Sequence, residues 1–279
     1  MEQIIQPTLT ELMALANIQV ITSPGNGSLF NPKDVGTGFL FHHCDNTFFV
    51  TARHVVSTTV ESNGGEPQDL DNQMAIITNR YRVNEHGLRE GELYSIGAFY
   101  TFMFFNALQQ HPDIGVVEAA FSIVKPEMLR EMRILTAGVK NYATGETIVE
   151  GGCGKIIIDS DSIVNPNGED VYYLSGFVQV HWEESPTSEK ILAYGYIFHN
   201  EMKFSRMDGD FIVLESPELA SKKEWSGLSG APVFNQEGLL LGILHGGKEG
   251  THEVYVIGIR RMLPLMEGAL KVETINKQQ

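Results

Sequence analysis

The residues best equipped for chemistry are a serine, a histidine and an aspartate that stand far apart in the chain. Ser229 lies in Gly227-Leu228-Ser229-Gly230-Ala231-Pro232, His54 in Thr51-Ala52-Arg53-His54-Val55-Val56, and Asp113 in His111-Pro112-Asp113-Ile114-Gly115-Val116-Val117. A serine hydroxyl is a poor nucleophile until a neighbouring base takes its proton, and that base needs a partner to fix its tautomer. The order His, Asp, Ser supplies base, orienting carboxylate and nucleophile, a set suited to acyl transfer. Each segment stands where a hydrophobic run meets a turn. Asp69 and Asp71 also fall between His54 and Ser229, but no apolar strand follows them, so Asp113 ranks above them.

Side chains this distant must be brought together by the elements that carry them. Short runs separated by Gly, Asn and Asp turns dominate: 36–42, 47–52, 74–78, 114–118, 155–159, 171–181, 191–198, 211–214, 238–244 and 254–259 read as strands. Many short strands without alternating helices favour barrels or sandwiches over a doubly wound sheet. Thr8 with Glu11 makes a capping box for a helix over 8–17, with Leu12, Leu15 and Ala16 on one face. Residues 261–271 place Met262, Leu265, Met266 and Ala269 on one helical face, with Pro264 tolerated in the first turn. A helical turn is expected over 126–133. The hairpin formed by 36–41 and 48–52 would deliver His54 at its exit.

Gly36-Thr37-Gly38-Phe39, Thr51-Ala52-Arg53-His54, Asp113-Ile114-Gly115-Val116 and Gly227-Leu228-Ser229-Gly230-Ala231-Pro232-Val233 together resemble the trypsin-like (chymotrypsin-fold) serine peptidases, closest to their compact bacterial members, over residues 18–262. The resemblance implies an all-β chain of two six-stranded antiparallel β-barrels with short N-terminal and C-terminal helices. The expected division is an extension and helix over 1–17, a first barrel over 18–140 with His54 and Asp113, a second over 141–262 with Ser229, and a helix and tail over 263–279. It implies that His54 is the general base, that Asp113 orients it, and that Ser229 attacks, with the N–H groups of Gly227 and Ser229 forming the oxyanion hole. An α/β-hydrolase is rejected: its elbow reads G-x-S-x-G and its triad runs Ser, Asp, His, whereas position 231 is alanine.

By the same resemblance, Gly242-Ile243-Leu244-His245-Gly246-Gly247 pairs with extended substrate and lines the S1 pocket. Gly247 leaves the pocket mouth open. Lys223, near the pocket floor, and His245 would favour an acidic or polar P1 residue. Members activated by insertion of a new N-terminus carry an aspartate just before the nucleophile. Leu228 stands there, so no such activation is expected, and the residues before Gly36 are read as a structural extension.

The net charge of −15 and the absence of any basic run longer than Lys222-Lys223 or Arg260-Arg261 argue against nucleic acid as partner or substrate. No run of about 18 apolar residues predicts a membrane span. Two cysteines, Cys44 and Cys153, are too few for a disulfide framework, and the first residues lack the pattern of a secretory signal. A cytoplasmic setting is the expectation.

No cofactor or metal is expected. His42-His43-Cys44-Asp45 has ligand-forming side chains, but neighbours in a strand point to opposite faces. The acidic loop 159–170 misses the EF-hand pattern. Cys153 lacks a neighbouring base, and the aromatic stretch 99–105 reads as core. The sequence thus predicts a serine endopeptidase acting on protein or peptide substrates. Recognition or control is left to loops or a regulatory protein partner. The alternatives are a catalytically silent binding module on the same fold, a latent form awaiting an activator, and an esterase.

Overall fold

The β-hairpin centred on residue 44 shows how local sequence sets the architecture. The runs Phe39, Phe41 and Phe48, Phe49, Val50 are fully buried, and a two-residue turn at Cys44 and Asp45 reverses the chain with φ of 48° and 57°. Those angles suit the right-handed twist of the flanking strands. The structure is a computed structural model that describes residues 7–24, 34–60, 68–83, 89–95, 97, 99–100, 118–131, 135–140, 144–184 and 190–276. Asp113 lies outside these residues, as does the expected strand 114–118 apart from Glu118.

The N-terminal half forms a curled sheet in the order β4 (Ser57–Val60), β5 (Gln68–Val83), β1 (Ile18–Pro24), β2 (Asp34–His43), β3 (Asn46–Ala52), β7 (Ala119–Val124). Two further strands bring it to eight, where six were expected. β6 (Arg89–Ser95) doubles back along the long β5, and β10 (Ile157–Asp159) lies parallel to β2. The C-terminal half is a closed antiparallel barrel of six strands: β11 (Val171–Glu184), β12 (Lys190–Asp208), β13 (Phe211–Glu215), β16 (Glu253–Gly258), β15 (Leu240–Gly247) and β14 (Pro232–Asn235). A two-stranded ladder, β8 (Leu135–Lys140) with β9 (Thr147–Gly154), stands apart. The chain is therefore mostly β, with one closed six-stranded barrel and a curled half-barrel sheet, an arrangement consistent with the two-barrel trypsin-like fold.

Helix α1 (Leu9–Ala16) starts at the expected capping box. The Glu11 carboxylate accepts from the Thr8 N–H at 2.8 Å, and the Glu11 N–H donates to the Thr8 hydroxyl. Its Met13 and Ala16 enter the same core as Phe39 and Phe48 of the first sheet and Phe234 and Ile243 of the barrel. Short helices α2 (Arg53–Val56), α3 (Pro126–Glu131) and α4 (Lys222–Trp225) follow. Helix α5 (Leu263–Asn276) begins two residues later than expected, because a 3₁₀ turn at Ile259–Arg261 precedes it. Met262, Leu265, Met266 and Ala269 are all buried, as the periodicity required.

Candidate active site

Ser229 sits in a turn between α4 and β14, and the turn is held almost wholly by backbone. The Leu228 N–H donates to Trp225 O at 3.2 Å, the Ala231 N–H to Leu228 O at 2.8 Å and the Gly230 N–H to Leu244 O at 2.8 Å. Leu228 itself is fully buried in the barrel core. Two positions demand glycine. Gly227 has φ +100°, and a Cβ on it would lie 2.5 Å from Phe177 O. Gly230 has φ +89°, and its Cβ would collide with Thr37 O and the Thr51 hydroxyl.

The first sheet pins this turn through Thr37. The Thr37 N–H donates to Ser229 O at 2.8 Å, and its hydroxyl donates to Gly227 O at 2.8 Å. The Thr51 hydroxyl in turn donates to Thr37 O at 2.7 Å. Gly36-Thr37-Gly38-Phe39 is therefore the strand segment that locks the Ser229 turn across the two halves. Gly227 and Ser229 carry backbone N–H groups with no hydrogen-bond partner among the described residues.

His54 projects from α2 at the exit of β3, while its neighbours Val55 and Val56 are buried as anchors. A cleft of about 390 Å³ is lined by His54 and Val55 from the first half and by Trp225, Gly227, Ser229 and Gly247 from the second. Trp225 is stacked at 4.1 Å on the buried His199. The Ser229 hydroxyl donates to the His245 carbonyl across a long 3.4 Å, and among the described residues this is its hydrogen bond.

His245 packs behind His54 and not along the cleft. Their rings meet edge to face at 5.2 Å, and the His245 ring lies 5.0 Å from that of Phe211. Gly246 and Gly247 line the cleft in its place. Burial first, then the charges of His245 and Arg53, push His54 down to about 4. The His54 side chain is exposed toward the cleft and crowded behind by the His245 ring, and the direction is toward the neutral imidazole, a weaker proton acceptor than an ordinary histidine. Burial also lowers His245, while the Glu118 carboxylate opposes that shift. For a base whose pKa is depressed in the folded state, stability is complete above the ordinary value of 6.5. It declines as pH falls from 6.5 toward 4. We predict that His245→Phe, which keeps a ring between His54 and Phe211, raises the acid limb of kcat/KM. A pH–rate profile unchanged by the substitution would remove His245 from the electrostatics of the site.

The sequence-predicted residues thus divide. His54, Ser229, Gly227 and Gly247 share one cleft. His245 supports His54 from behind, and Lys223 lies in α4, beside the cleft residues Ser221 and Trp225, with its side chain outside the described set. Asp113 lies outside it altogether. Glu118 was not anticipated. The Arg53 N–H donates to Glu118 O at 3.0 Å, and the Glu118 carboxylate pairs with the Arg53 guanidinium at 3.6 Å. Pairing of Ala52 with Ala119 sets Glu118 at the end of β7, level with the segment that bears His54. The cue that picked Asp113, a carboxylate heading an apolar run, also fits Glu118 before Ala119-Ala120-Phe121.

No protein-family model matches the chain, and a search of curated proteins finds no match. Among solved structures it is similar to a Glu endopeptidase, at 11% identity over 94% of each chain with a TM-score of 0.46. It is similar to the serine endoprotease from Yersinia pestis, at 14% identity over 96% of this chain and 68% of that one, TM-score 0.39. It is also similar to the MamO protease domain from Magnetospirillum magneticum, at 11% identity over 88% of this chain and 94% of that one, TM-score 0.37. At these identities no residue role passes from those proteins to this chain.

Proposed function

We propose that the protein is a serine endopeptidase that cleaves protein or peptide substrates through an acyl-enzyme. The observation that carries this reading is the opening of His54 and Ser229, one from each half, onto a single cleft beside the Gly227 and Ser229 N–H groups, which have no partner among the described residues. In the proposed reaction the Ser229 hydroxyl attacks the scissile carbonyl and His54 accepts its proton. The tetrahedral oxyanion is held by the N–H groups of Gly227 and Ser229, each worth about 2.7–4 kcal/mol where such a donor has been removed from a hydrolase. His54 then protonates the leaving amine, and water resolves the ester by the same route in reverse. Labelling by an active-site fluorophosphonate, lost in Ser229→Ala, tests the assignment. A full-length protein that never labels supports the silent binding module.

Asp113 is the proposed orienting carboxylate, from the sequence pattern. Glu118 is the second candidate, from its place beside Arg53 and its electrostatic effect on His245. Asp113→Asn is expected to lower kcat by about 10⁴ and Glu118→Gln by far less. The reverse ranking, measured in the same assay, transfers the role to Glu118.

A latent form is the second reading, because the Ser229 hydroxyl turns to the His245 carbonyl and makes no hydrogen bond to His54 among the described residues. Labelling that is slow with pure protein and rises with a regulatory partner distinguishes it. For substrate choice, Lys223 points to an acidic or polar P1 residue. A peptide-library profile dominated by Arg, Lys or aromatic P1 would end that assignment.

A further inference from the structure

Away from the cleft, three side chains of different chemistry converge where the β2–β3 hairpin meets helix α5. The His43 Nε2 atom lies 3.2 Å from Glu267 Oε1 and 3.4 Å from Cys44 Sγ. All three potential ligand atoms fall within 4.8 Å of one another. On a flat strand, His43 and Cys44 would point to opposite faces. Here Cys44 occupies the first left-handed position of the turn, with Asn46 donating to its carbonyl at 2.6 Å, and the alternation breaks at that residue. The thiol is thereby set beside the imidazole of its neighbour. Glu267 arrives from a helix more than two hundred residues away and completes the group.

We propose that His43, Cys44 and Glu267 form a zinc-class metal site that clamps the hairpin to α5. The separations support it. With Zn–N and Zn–O near 2.05 Å and Zn–S near 2.3 Å, tetrahedral angles require edges of roughly 3.3 Å for N···O and 3.6 Å for N···S. The observed 3.2 and 3.4 Å need little adjustment. A thiolate with an imidazole and one carboxylate selects a borderline-soft divalent ion over calcium or magnesium, which take oxygen ligands. Access is open: the His43 side chain is 13% exposed, Glu267 47%, and Cys44 is an exposed free thiol. An ion can enter from solvent and keep water in its fourth position. In the unfolded chain Glu267 lies more than two hundred residues from the adjacent His43 and Cys44, so binding by all three stabilises the folded state.

Cobalt(II) titration of the full-length, metal-free protein tests this. One equivalent should bind in tetrahedral form with an intense thiolate-to-cobalt absorption band, zinc should displace it, and zinc should raise the melting temperature. Cys44→Ser should abolish the thiolate band, while Cys153→Ser retains it. His43→Gln and Glu267→Gln should each weaken binding by more than about tenfold, the lower end of the loss seen even for residues that only support a ligand. Circular dichroism of each variant separates a lost site from a lost fold. A wild-type protein with no thiolate band, a band that survives Cys44→Ser, or affinity indifferent to both Gln variants overturns the proposal.

Discussion

Ser229→Ala should reduce kcat on the order of 10⁶-fold while leaving the protein folded, the loss seen when a nucleophilic serine is removed from a serine peptidase. The separation of the two effects follows from how the turn is built. Its conformation is held by the N–H groups of Leu228, Gly230, Ala231 and Thr37, whereas among the described residues the Ser229 hydroxyl contributes only a 3.4 Å contact to a carbonyl. Removing that hydroxyl should cost about 1 kcal/mol at most in stability. His54→Ala should be about as damaging, and the double variant hardly worse, because base and nucleophile act as one unit. Initial rates on a peptide substrate together with a thermal melt measure both quantities. Turnover persisting in Ser229→Ala within tenfold of the parent would exclude Ser229 as the nucleophile.

Gly230→Ala should do the opposite and take stability and activity together. The left-handed φ of +89° strains any residue with a Cβ, and the added carbon meets Thr37 O, the Thr51 hydroxyl and the Ala52 N–H. None of these can retreat easily: Thr37 O accepts from Thr51, and Ala52 belongs to a strand paired on both sides. A loss of about 3 kcal/mol or more is expected, and with it a drop of about 10 °C in Tm. The displaced turn would also move the Gly227 and Ser229 N–H groups. An alanine variant that melts with the parent would mean the turn relaxes in a way the packing does not suggest.

The parts of the fold legible in the sequence were those governed by local rules. Thr8 and Glu11 announced α1, Met262 to Ala269 announced α5, and the alternation around Phe39 and Phe48 announced the hairpin that delivers His54. The turn around Ser229 was legible because only glycine tolerates positions 227 and 230. Long-range pairing was not. β1 over Ile18–Pro24 becomes central only because β2 and β5 flank it, and Ile157–Asp159 reads as an ordinary short run until it pairs in parallel with β2. β7 lies at Ala119–Val124 because that run is buried on both faces, a pattern without the alternation that marks a half-exposed strand. His245 was placed on the substrate cleft from its neighbours in sequence. A bulge between Leu244 and Gly246 in the pairing of β15 with β16 accompanies its ring's turn toward His54. The convergence of His43, Cys44 and Glu267 was invisible for a related reason, since a turn and a distant helix create it.

The parallel strand Ile157–Asp159 threads back into the first sheet before the second barrel begins, and Met13, Phe41, Phe234 and Met266 share one core. On the ribosome, then, the early sheet emerges with an oily surface whose cover is encoded more than a hundred residues downstream. That surface can be covered only once Ile157–Asp159 and the later core residues have been made, so the first sheet cannot finish packing on its own.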